Sequence, residues 1–340
     1  SDVRHGRLNE AEAAAALRSV RVTPSFGDLD GTTFVIESVP EDLALKQEVL
    51  AAIEAHVSPD CVVASNSSSI PLGAIASRAR RPQLVIGTHF FWPAHRYRLV
   101  EMARTPATSE DTLYRALALV RWLGKVPLLV RDLPGFFTTR VLLVYLNEAV
   151  ALVNEGASVD AVDGAMQAFG WPMGPFRLLD AVGLTIFRGI HQYVSRCLGD
   201  RVADFARLWP VLEAGHVGWG RGHSGGAKGF YRQPAGAEVD ERVYSLIGRN
   251  GGAGPTQFDI AFRPVWQLLN EIGHCLAEGV VASPHETDLG MLLGLGWPSA
   301  RGSPISYARG VGVSHIVAQL AAWAERYGPR FVPSPVLCAW

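Results

Sequence analysis

The stretch TTFVIESVPEDLALKQEVLAAIEAHVSPDCVVASN, residues 32–66, indicates the fold class. Its two ends are short, nearly continuous apolar runs, which are typical of strands buried on both faces of a parallel sheet. Between them, residues 41–57 repeat apolar side chains at helical spacing, from Leu45 to Ile53. A strand, a helix and a second strand in this order predict an α/β layer architecture, in which ligands bind outside the carboxyl ends of the strands.

The same alternation continues outward from this stretch as far as residue 133. Apolar runs predict two further strands at residues 83–91 and 126–132, and residues 109–124 carry a second helical stripe. Pro134 and Gly135 then form a turn signal at the point where the β pattern ends. We therefore expect a parallel-sheet α/β domain over residues 1–133.

An internal repeat follows, within a part of the chain that has helical periodicity only. In both copies an Arg is followed seven residues later by an Asn-Glu pair. A Glu-Gly pair begins eight residues after that Asn. The first copy is Arg140, Asn147-Glu148, Glu155-Gly156, Asp163 and Gly170-Trp171-Pro172, and the second is Arg263, Asn270-Glu271, Glu278-Gly279, Asp288 and Gly296-Trp297-Pro298. The repeat predicts two related all-α domains, at residues 134–240 and 255–340, and the Gly- and Arg-rich segment 232–262 is expected to link them.

The composition excludes several functional classes. The 340 residues include 31 Lys+Arg and 32 Asp+Glu, so there is no basic excess to attract nucleic acid or an anionic membrane. The four cysteines are far apart, without a CxxC motif, and predict neither a disulfide framework nor a metal site. No apolar stretch reaches the length of a membrane span. We expect a soluble, cytoplasmic protein that acts on a small molecule.

Two segments of the predicted sheet carry polar side chains that could do chemistry. His89 closes the strand GTHFF, and Glu101 follows twelve residues later. A carboxylate that orients an imidazole is the arrangement of a general base, although a core histidine beside a solvated glutamate is commoner. The segment ASNSSSI, residues 64–70, places hydroxyls and an amide after another strand, which fits either a polar ligand or an ordinary turn.

Several motifs, taken in order, resemble a known family. They are VIESVPEDLALK, ASNSSSIPL, GTHFFWP, RLVEM, GKVPLLVRDLPGFFTTR, VYLNEAVALVNEG and FGWPMGPFRLLDAVGL. In this order and spacing they resemble the 3-hydroxyacyl-CoA dehydrogenase half of the bacterial fatty-acid oxidation complex α-subunit. The second repeat, with LNEIGHCLAEGVVASPHETD and AERYGPRFVPSPVL, resembles that family's additional C-terminal domain. The resemblance extends from about residue 8 to the end, and it implies a Rossmann-like domain followed by two helical ones.

The resemblance also implies roles for individual residues. His89 would take the proton of the substrate 3-hydroxyl while hydride leaves for NAD, and Glu101 would orient His89. Ser68 would hydrogen-bond the substrate oxygen near the nicotinamide. The implied cofactor contacts are Val39, Pro40, Glu41 and Lys46, with Ser68 and the position of Trp92. Tyr307 would lie near the acyl-CoA substrate, and similar proteins form homodimers or pack on a thiolase-type partner.

The chain departs from the family pattern in three places. Thr139 stands where the family has an asparagine that binds the substrate oxygen. Trp92 stands where the family has an asparagine near the nicotinamide, and an indole offers one donor and no acceptor. The family's domain opens with a unit of a strand, a GxGxxG turn and a helix, and this sequence contains no match to that unit. Residues 1–22 match instead the helix and strand that follow it in the family. We expect either a fragment of a longer polypeptide or a chain that has lost this cofactor cradle; the Gly-rich residues 218–229 have no preceding strand and are a weak substitute.

Three functional hypotheses follow from this pattern. The first is an NAD-dependent 3-hydroxyacyl-CoA dehydrogenase. The second is a homologue that uses His89 and Glu101 for non-redox chemistry on an acyl thioester. The third is a non-catalytic subunit that binds acyl-CoA.

Overall fold

The computed structural model describes Gly6 and residues 9–220, 228–234, 236–249 and 254–340. Five strands form one sheet in the order β1-β2-β3-β4-β5. They are β1 (Phe34–Glu37), β2 (Val62–Ser65), β3 (Val85–Phe90), β4 (Leu99–Arg104) and β5 (Val126–Arg131). The helices of this part are α1 (Glu10–Arg18), α2 (Leu43–His56), α3 (Leu72–Ala76) and α4 (Glu110–Trp122). The Rossmann-like architecture expected from the sequence is confirmed.

The sheet differs from the expected all-parallel sheet at one pair of strands. β3 and β4 are antiparallel, whereas the other three neighbouring pairs are parallel. Strand β4 is not among the predicted strands, because a glutamate interrupts its short apolar run. Only residues 91–98 connect β3 to β4, and a parallel pair needs a longer crossover, so the chain turns back instead.

The N-terminal segment confirms one of two expected elements. Helix α1 is present, and Asn9 and Glu12 close its start as a capping box. The strand expected by residue 22 is not formed, and Val20 and Val22 are exposed instead. The segment pairs with no strand among the described residues, since β1 is the edge of the sheet.

The sheet is buried on both faces by apolar side chains. On one face Val63 and Val85 pack with residues of α2 and α3, such as Leu50 and Ile75. On the other face Val62 and Ile86 pack with residues of α4. This three-layer packing explains why the strands are continuous apolar runs.

The rest of the chain is helical. The first copy of the repeat contains α5 (Thr138–Asn154), α6 (Val159–Phe169), α7 (Pro175–Val182), α8 (Leu184–Leu198) and α9 (Trp209–Glu213). The second contains α11 (Gln257–Ala277), α12 (Pro284–Leu289), α13 (Pro304–Val311) and α14 (Val313–Tyr327), with a π-helical turn at Gly290–Leu295. The segment 232–262 is not simply a linker, because α10 (Arg242–Ile247) and the start of α11 lie within it. Val243 and Ile247 anchor α10 in the core.

The two copies pack against each other through reciprocal ion pairs. Arg140 of the first copy pairs with Glu271 and Glu278 of the second, at 3.0 and 2.6 Å. Arg263 of the second copy pairs with Glu148 and Glu155 of the first. Each contact therefore recurs with the copies exchanged, which is the pattern of a two-fold interface built within a single chain.

No helix of the described residues has the length and apolar character needed to cross a membrane. The described residues also contain no group of three or more His, Cys, Asp or Glu side chains placed to hold a metal ion.

Candidate active site

His89 and Glu101 face each other on neighbouring strands. They are directly opposite in the β3–β4 register, and His89 Nδ1 lies 2.8 Å from Glu101 Oε2. The Glu101 side chain is 1% exposed and that of His89 is 12% exposed. The antiparallel turn between β3 and β4 thus brings together two residues that are twelve positions apart.

The start of α5 supplies the other partners of the Glu101 carboxylate. The backbone N–H groups of Phe137 and Thr138 donate to Oε1 at 3.2 and 2.8 Å, and the Thr138 hydroxyl donates to Oε2 at 2.7 Å. A helix N-terminus carries unpaired N–H groups and a partial positive charge, which stabilise a buried carboxylate. Glu101 is therefore held as an acceptor for His89 Nδ1–H, and this tautomer leaves Nε2 free to take a proton.

A cavity of about 300 Å³ opens beside His89. Ser68, Thr138 and Thr139 contribute its aliphatic hydroxyl groups, and most of the remaining wall is apolar. The other lining residues are Phe90, Phe91, Trp92, Tyr97, Leu142, Leu143, Leu178, Ala181, Val182, Ile186, Phe187, Ile190, Gly294 and Leu295. Among the described residues, neither His89 Nε2 nor the Ser68 hydroxyl has a hydrogen-bond partner, so both are available to a ligand in this cavity.

Ser68 is positioned by the carboxylate of Glu41. Oε1 of Glu41 accepts from the N–H groups of Ser68 and Ser69 at 3.1 and 2.8 Å, and from the hydroxyls of Ser67 and Ser69 at 2.7 Å each. These bonds fold the segment after β2 around one oxygen atom. The Ser68 side chain is left to face the cavity.

Lys46 holds the Glu41 carboxylate in this position through an ion pair. Its ammonium is buried and lies 3.4 Å from Glu41 Oε2, 3.1 Å from Glu37 Oε1 and 3.2 Å from the Val39 carbonyl oxygen. Burial acts to raise the pKa of Glu41, but the charge of Lys46 and the serine hydrogen bonds outweigh it and lower the pKa. Glu41 and Lys46 are thus occupied by contacts within the chain, and their contact with a cofactor stays a prediction.

Of the other predicted site residues, Thr139 and Trp92 line the cavity, whereas Val39, Pro40 and Tyr307 do not. Thr139 is buried at the cavity wall, and Trp92 lies at the same cavity but is 50% exposed. Val39 and Pro40 follow the carboxyl end of β1, where Pro40 is exposed. Tyr307 does not line the cavity; it packs on Phe169 and Trp297.

Family models match most of the chain. Residues 1–133 match the model of the 3-hydroxyacyl-CoA dehydrogenase NAD-binding domain, and residues 135–233 match that of the C-terminal domain. The chain belongs to the 3-hydroxyacyl-CoA dehydrogenase family. The resemblance drawn from the sequence motifs is thereby confirmed.

Curated relatives of this dehydrogenase-family chain include alpha subunits of the fatty acid oxidation complex. The chain is 36% identical over 341 residues to the fatty acid oxidation complex subunit alpha of Shewanella amazonensis, covering 99% of this chain and 48% of that protein. It is also 36% identical to the subunit alpha of Vibrio vulnificus, covering 96% and 46%. The chain spans about half the length of these relatives.

Solved structures show the same family fold. The 3-hydroxybutyryl-CoA dehydrogenase of Escherichia coli aligns with a TM-score of 0.79 at 22% identity and covers 99% of this chain and 87% of that one. The (S)-3-hydroxybutyryl-CoA dehydrogenase of Ralstonia eutropha is 34% identical, with a TM-score of 0.59 and coverage of 64% and 78%.

Sequence reasoning missed two polar residues of this dehydrogenase-family site. Thr138 donates to Glu101, whereas the resemblance implies a role only for its neighbour Thr139. Asn66 accepts from the Phe90 N–H at 2.8 Å and donates to the Ser38 hydroxyl at 3.1 Å, which joins the ends of β1, β2 and β3. The signal for Asn66 was present in the motif ASNSSSI, but its partners are 24 and 28 residues away in the chain.

Proposed function

We propose that this chain carries out the oxidation of 3-hydroxyacyl-CoA thioesters to 3-oxoacyl-CoA thioesters with NAD. The observation that supports this most directly is the pairing of two free polar groups at one apolar cavity. His89 Nε2 can accept a proton there, and the Ser68 hydroxyl can donate to an oxygen. When a secondary alcohol becomes a ketone, a base takes the hydroxyl proton and a donor can stabilise the charge that develops on the same oxygen atom.

In the proposed mechanism His89 acts as the general base. Nε2 takes the proton of the 3-hydroxyl, and the imidazolium that forms is stabilised by Glu101 across the 2.8 Å hydrogen bond. Ser68 holds the same oxygen as its charge changes. The apolar wall from α7 and α8 excludes water from the reacting carbon.

The ends of β1 and β2 fit the nicotinamide side of NAD. Ser38 and Asn66 place polar side chains at the carboxyl ends of these parallel strands, where open α/β sheets bind nucleotides. Val39, Pro40 and Trp92 would contact the cofactor beside Ser68. When bound, NAD supplies the acceptor for the hydride of C3.

The test is reduction of acetoacetyl-CoA, followed by the loss of NADH absorbance, together with NAD binding by fluorescence quenching. A His89→Asn variant is expected to lose about 10²- to 10⁴-fold in kcat/KM, the usual contribution of a general base. The control is His56→Gln, because His56 is exposed at the end of α2. Equal activity of His89→Asn and the control would overturn the proposal.

A second function is favoured by Trp92. Its half-exposed indole lines the cavity together with His89 and Thr139, and its bulk would compete with a nicotinamide for this space but not with the thioester. The alternative is proton abstraction beside a thioester carbonyl, with His89 as the base and without NAD. Turnover of an acyl-CoA panel without NAD, lost in His89→Asn, would support it, and acyl-CoA binding without any turnover would point to a binding subunit.

We further propose that the chain acts in the cytoplasm as part of an assembly, as a homodimer or with a thiolase-type partner. The names of the curated relatives, subunits of a complex, support this. Light scattering of the purified chain tests the dimer, since a monomer mass at micromolar concentration would exclude it.

A further inference from the structure

A second pocket adjoins the cavity beside His89. It has a volume of about 60 Å³, and it shares Tyr97, Leu142, Leu178 and Leu295 with the cavity. These shared side chains form the wall between the two spaces. The pocket therefore begins where the cavity ends.

The pocket is formed at the junction of the two helical copies. Tyr145 and Trp171 come from the first copy, with their rings 5.5 Å apart, and Leu268 comes from α11 of the second. Met173 forms part of the outer boundary and is 41% exposed. The lining is mainly apolar, so the pocket suits a hydrocarbon chain rather than a polar group.

The Trp171 indole is held differently from its repeat counterpart. Trp297 Nε1 donates to the Gly302 carbonyl at 3.0 Å, whereas Trp171 Nε1 is buried and has no hydrogen-bond partner among the described residues. Packing alone holds the Trp171 ring at the pocket. It can therefore shift without the loss of a hydrogen bond.

We infer that the acyl chain of the substrate passes from the cavity into this Trp171 pocket, and that Met173 and Leu268 limit the chain length accepted. The inference rests on the proposed function, because it takes the ligand to be an acyl thioester. The polar end of the cavity, at His89 and Ser68, holds the oxygen at C3. The remaining carbons of the acyl chain then lie against the apolar wall that leads to the pocket.

Saturated acyl-CoAs of increasing length, from butyryl to palmitoyl, provide the binding test by calorimetry. One buried methylene contributes about fourfold in affinity, from about 0.8 kcal/mol, so affinity should rise with length and then level off when the pocket is full. Met173→Trp fills the outer end of the pocket. It is expected to weaken binding of the longer chains about tenfold and to leave butyryl-CoA unchanged.

Ser299→Trp is the matched control, because Ser299 follows Trp297-Pro298 in the second copy as Met173 follows Trp171-Pro172 in the first, and it is exposed. Leu268→Phe is a second filling variant, from the other copy, in case the first does not fold. A length profile that neither filling variant changes relative to the control overturns the inference. Chain-length-dependent binding that both filling variants shorten supports it.

Turnover separates this inference from the proposed function. The 3-oxoacyl-CoAs of the same chain lengths are assayed for turnover with NADH. Turnover with an unaltered length profile overturns only the pocket assignment. Shortened binding profiles without turnover overturn only the dehydrogenase proposal.

Discussion

Each helical copy has one long helix, α5 in the first and α11 in the second, and the two helices begin differently. α5 begins at Thr138, two residues before Arg140, whereas α11 begins at Gln257, six residues before Arg263. The first helix has no side-chain cap of its own, and its N–H groups donate to Glu101. The second is closed by a capping box of Thr256 and Asp259. A helix start that is not self-capped is free to serve a functional carboxylate.

The surroundings of the two helix starts differ in the same sense. The start of α5 faces the cavity with His89, while the start of α11 is surrounded by aromatic rings. Phe258 and Phe262 lie 4.9 Å apart, and Trp266 and Trp323 pack on them. The first copy retains an open site, and the second fills the equivalent place with apolar packing.

The largest effect is expected where the copies remain equivalent, at the reciprocal ion pairs. Arg140→Met and Arg263→Met each leave buried carboxylates with fewer partners, and each should lower the free energy of unfolding by about 3–5 kcal/mol. Urea denaturation measures this. Arg232→Met removes an exposed pair with Glu238 and should change little. A large difference between Arg140→Met and Arg263→Met would contradict the two-fold description.

The pH dependence of stability should distinguish Asp163 from its repeat counterpart Asp288. Burial raises the pKa of Asp163 to about 6, against hydrogen bonds from the Phe176 N–H and the Tyr231 hydroxyl. Because the folded pKa exceeds the unfolded value, the stability from this group is full below about pH 4 and is lost as the pH rises through 6. The loss is about 3 kcal/mol.

Urea denaturation between pH 4 and 8 gives the slope for each variant. Asp163→Asn should flatten the decline of stability across this range. Burial also raises the pKa of Asp288, but this side chain is only half-buried, so Asp288→Asn should change the slope less. Equal slopes for wild type and Asp163→Asn would contradict the assignment.

The Gly-Trp-Pro turns offer a smaller contrast. Both Gly170 and Gly296 have positive φ, at 122° and 73°. An added Cβ at Gly170 would lie 2.9 Å from Pro298 Cβ of the other copy, whereas at Gly296 it would meet open space. Gly170→Ala should therefore cost about 2–3 kcal/mol from strain and clash, and Gly296→Ala about 1 kcal/mol from strain alone. Thermal unfolding of both variants compares them, and equal losses would exclude the clash.

The sequence predicted the elements whose pattern is local. The strand-helix alternation and the repeat are visible because apolar periodicity and fixed spacing follow from burial within each element. Strand β4 is not predicted, because Glu101 lies in its middle and a glutamate is usually solvated. The structure shows that this carboxylate is buried and accepts hydrogen bonds from the start of α5. The inward orientation of Lys46 could not be predicted either, since a lysine in the first turns of a helix is usually solvated, and here Glu37 of the preceding strand holds it.

The smallest stability effect is expected at the helix starts, and there the two copies should separate by activity. Thr256→Val removes the capping box and should cost about 1 kcal/mol of stability without changing turnover. Thr138→Val keeps the side-chain shape but removes the hydroxyl that donates to Glu101 at 2.7 Å. Its kcat/KM should fall about tenfold, since a hydrogen bond to a charged group contributes about 1.5–3 kcal/mol, part of which Glu101 recovers through the backbone donors.

Measured together, kcat/KM and the free energy of unfolding show whether this loss acts through the catalytic pair. If the start of α5 serves Glu101 as proposed, Thr138→Val lowers kcat/KM, and Thr256→Val lowers only the free energy of unfolding. A fall in kcat/KM that is equal in the two variants would mean that both act through stability alone. The functional difference between the copies would then have to lie in the cavity wall rather than in the helix start.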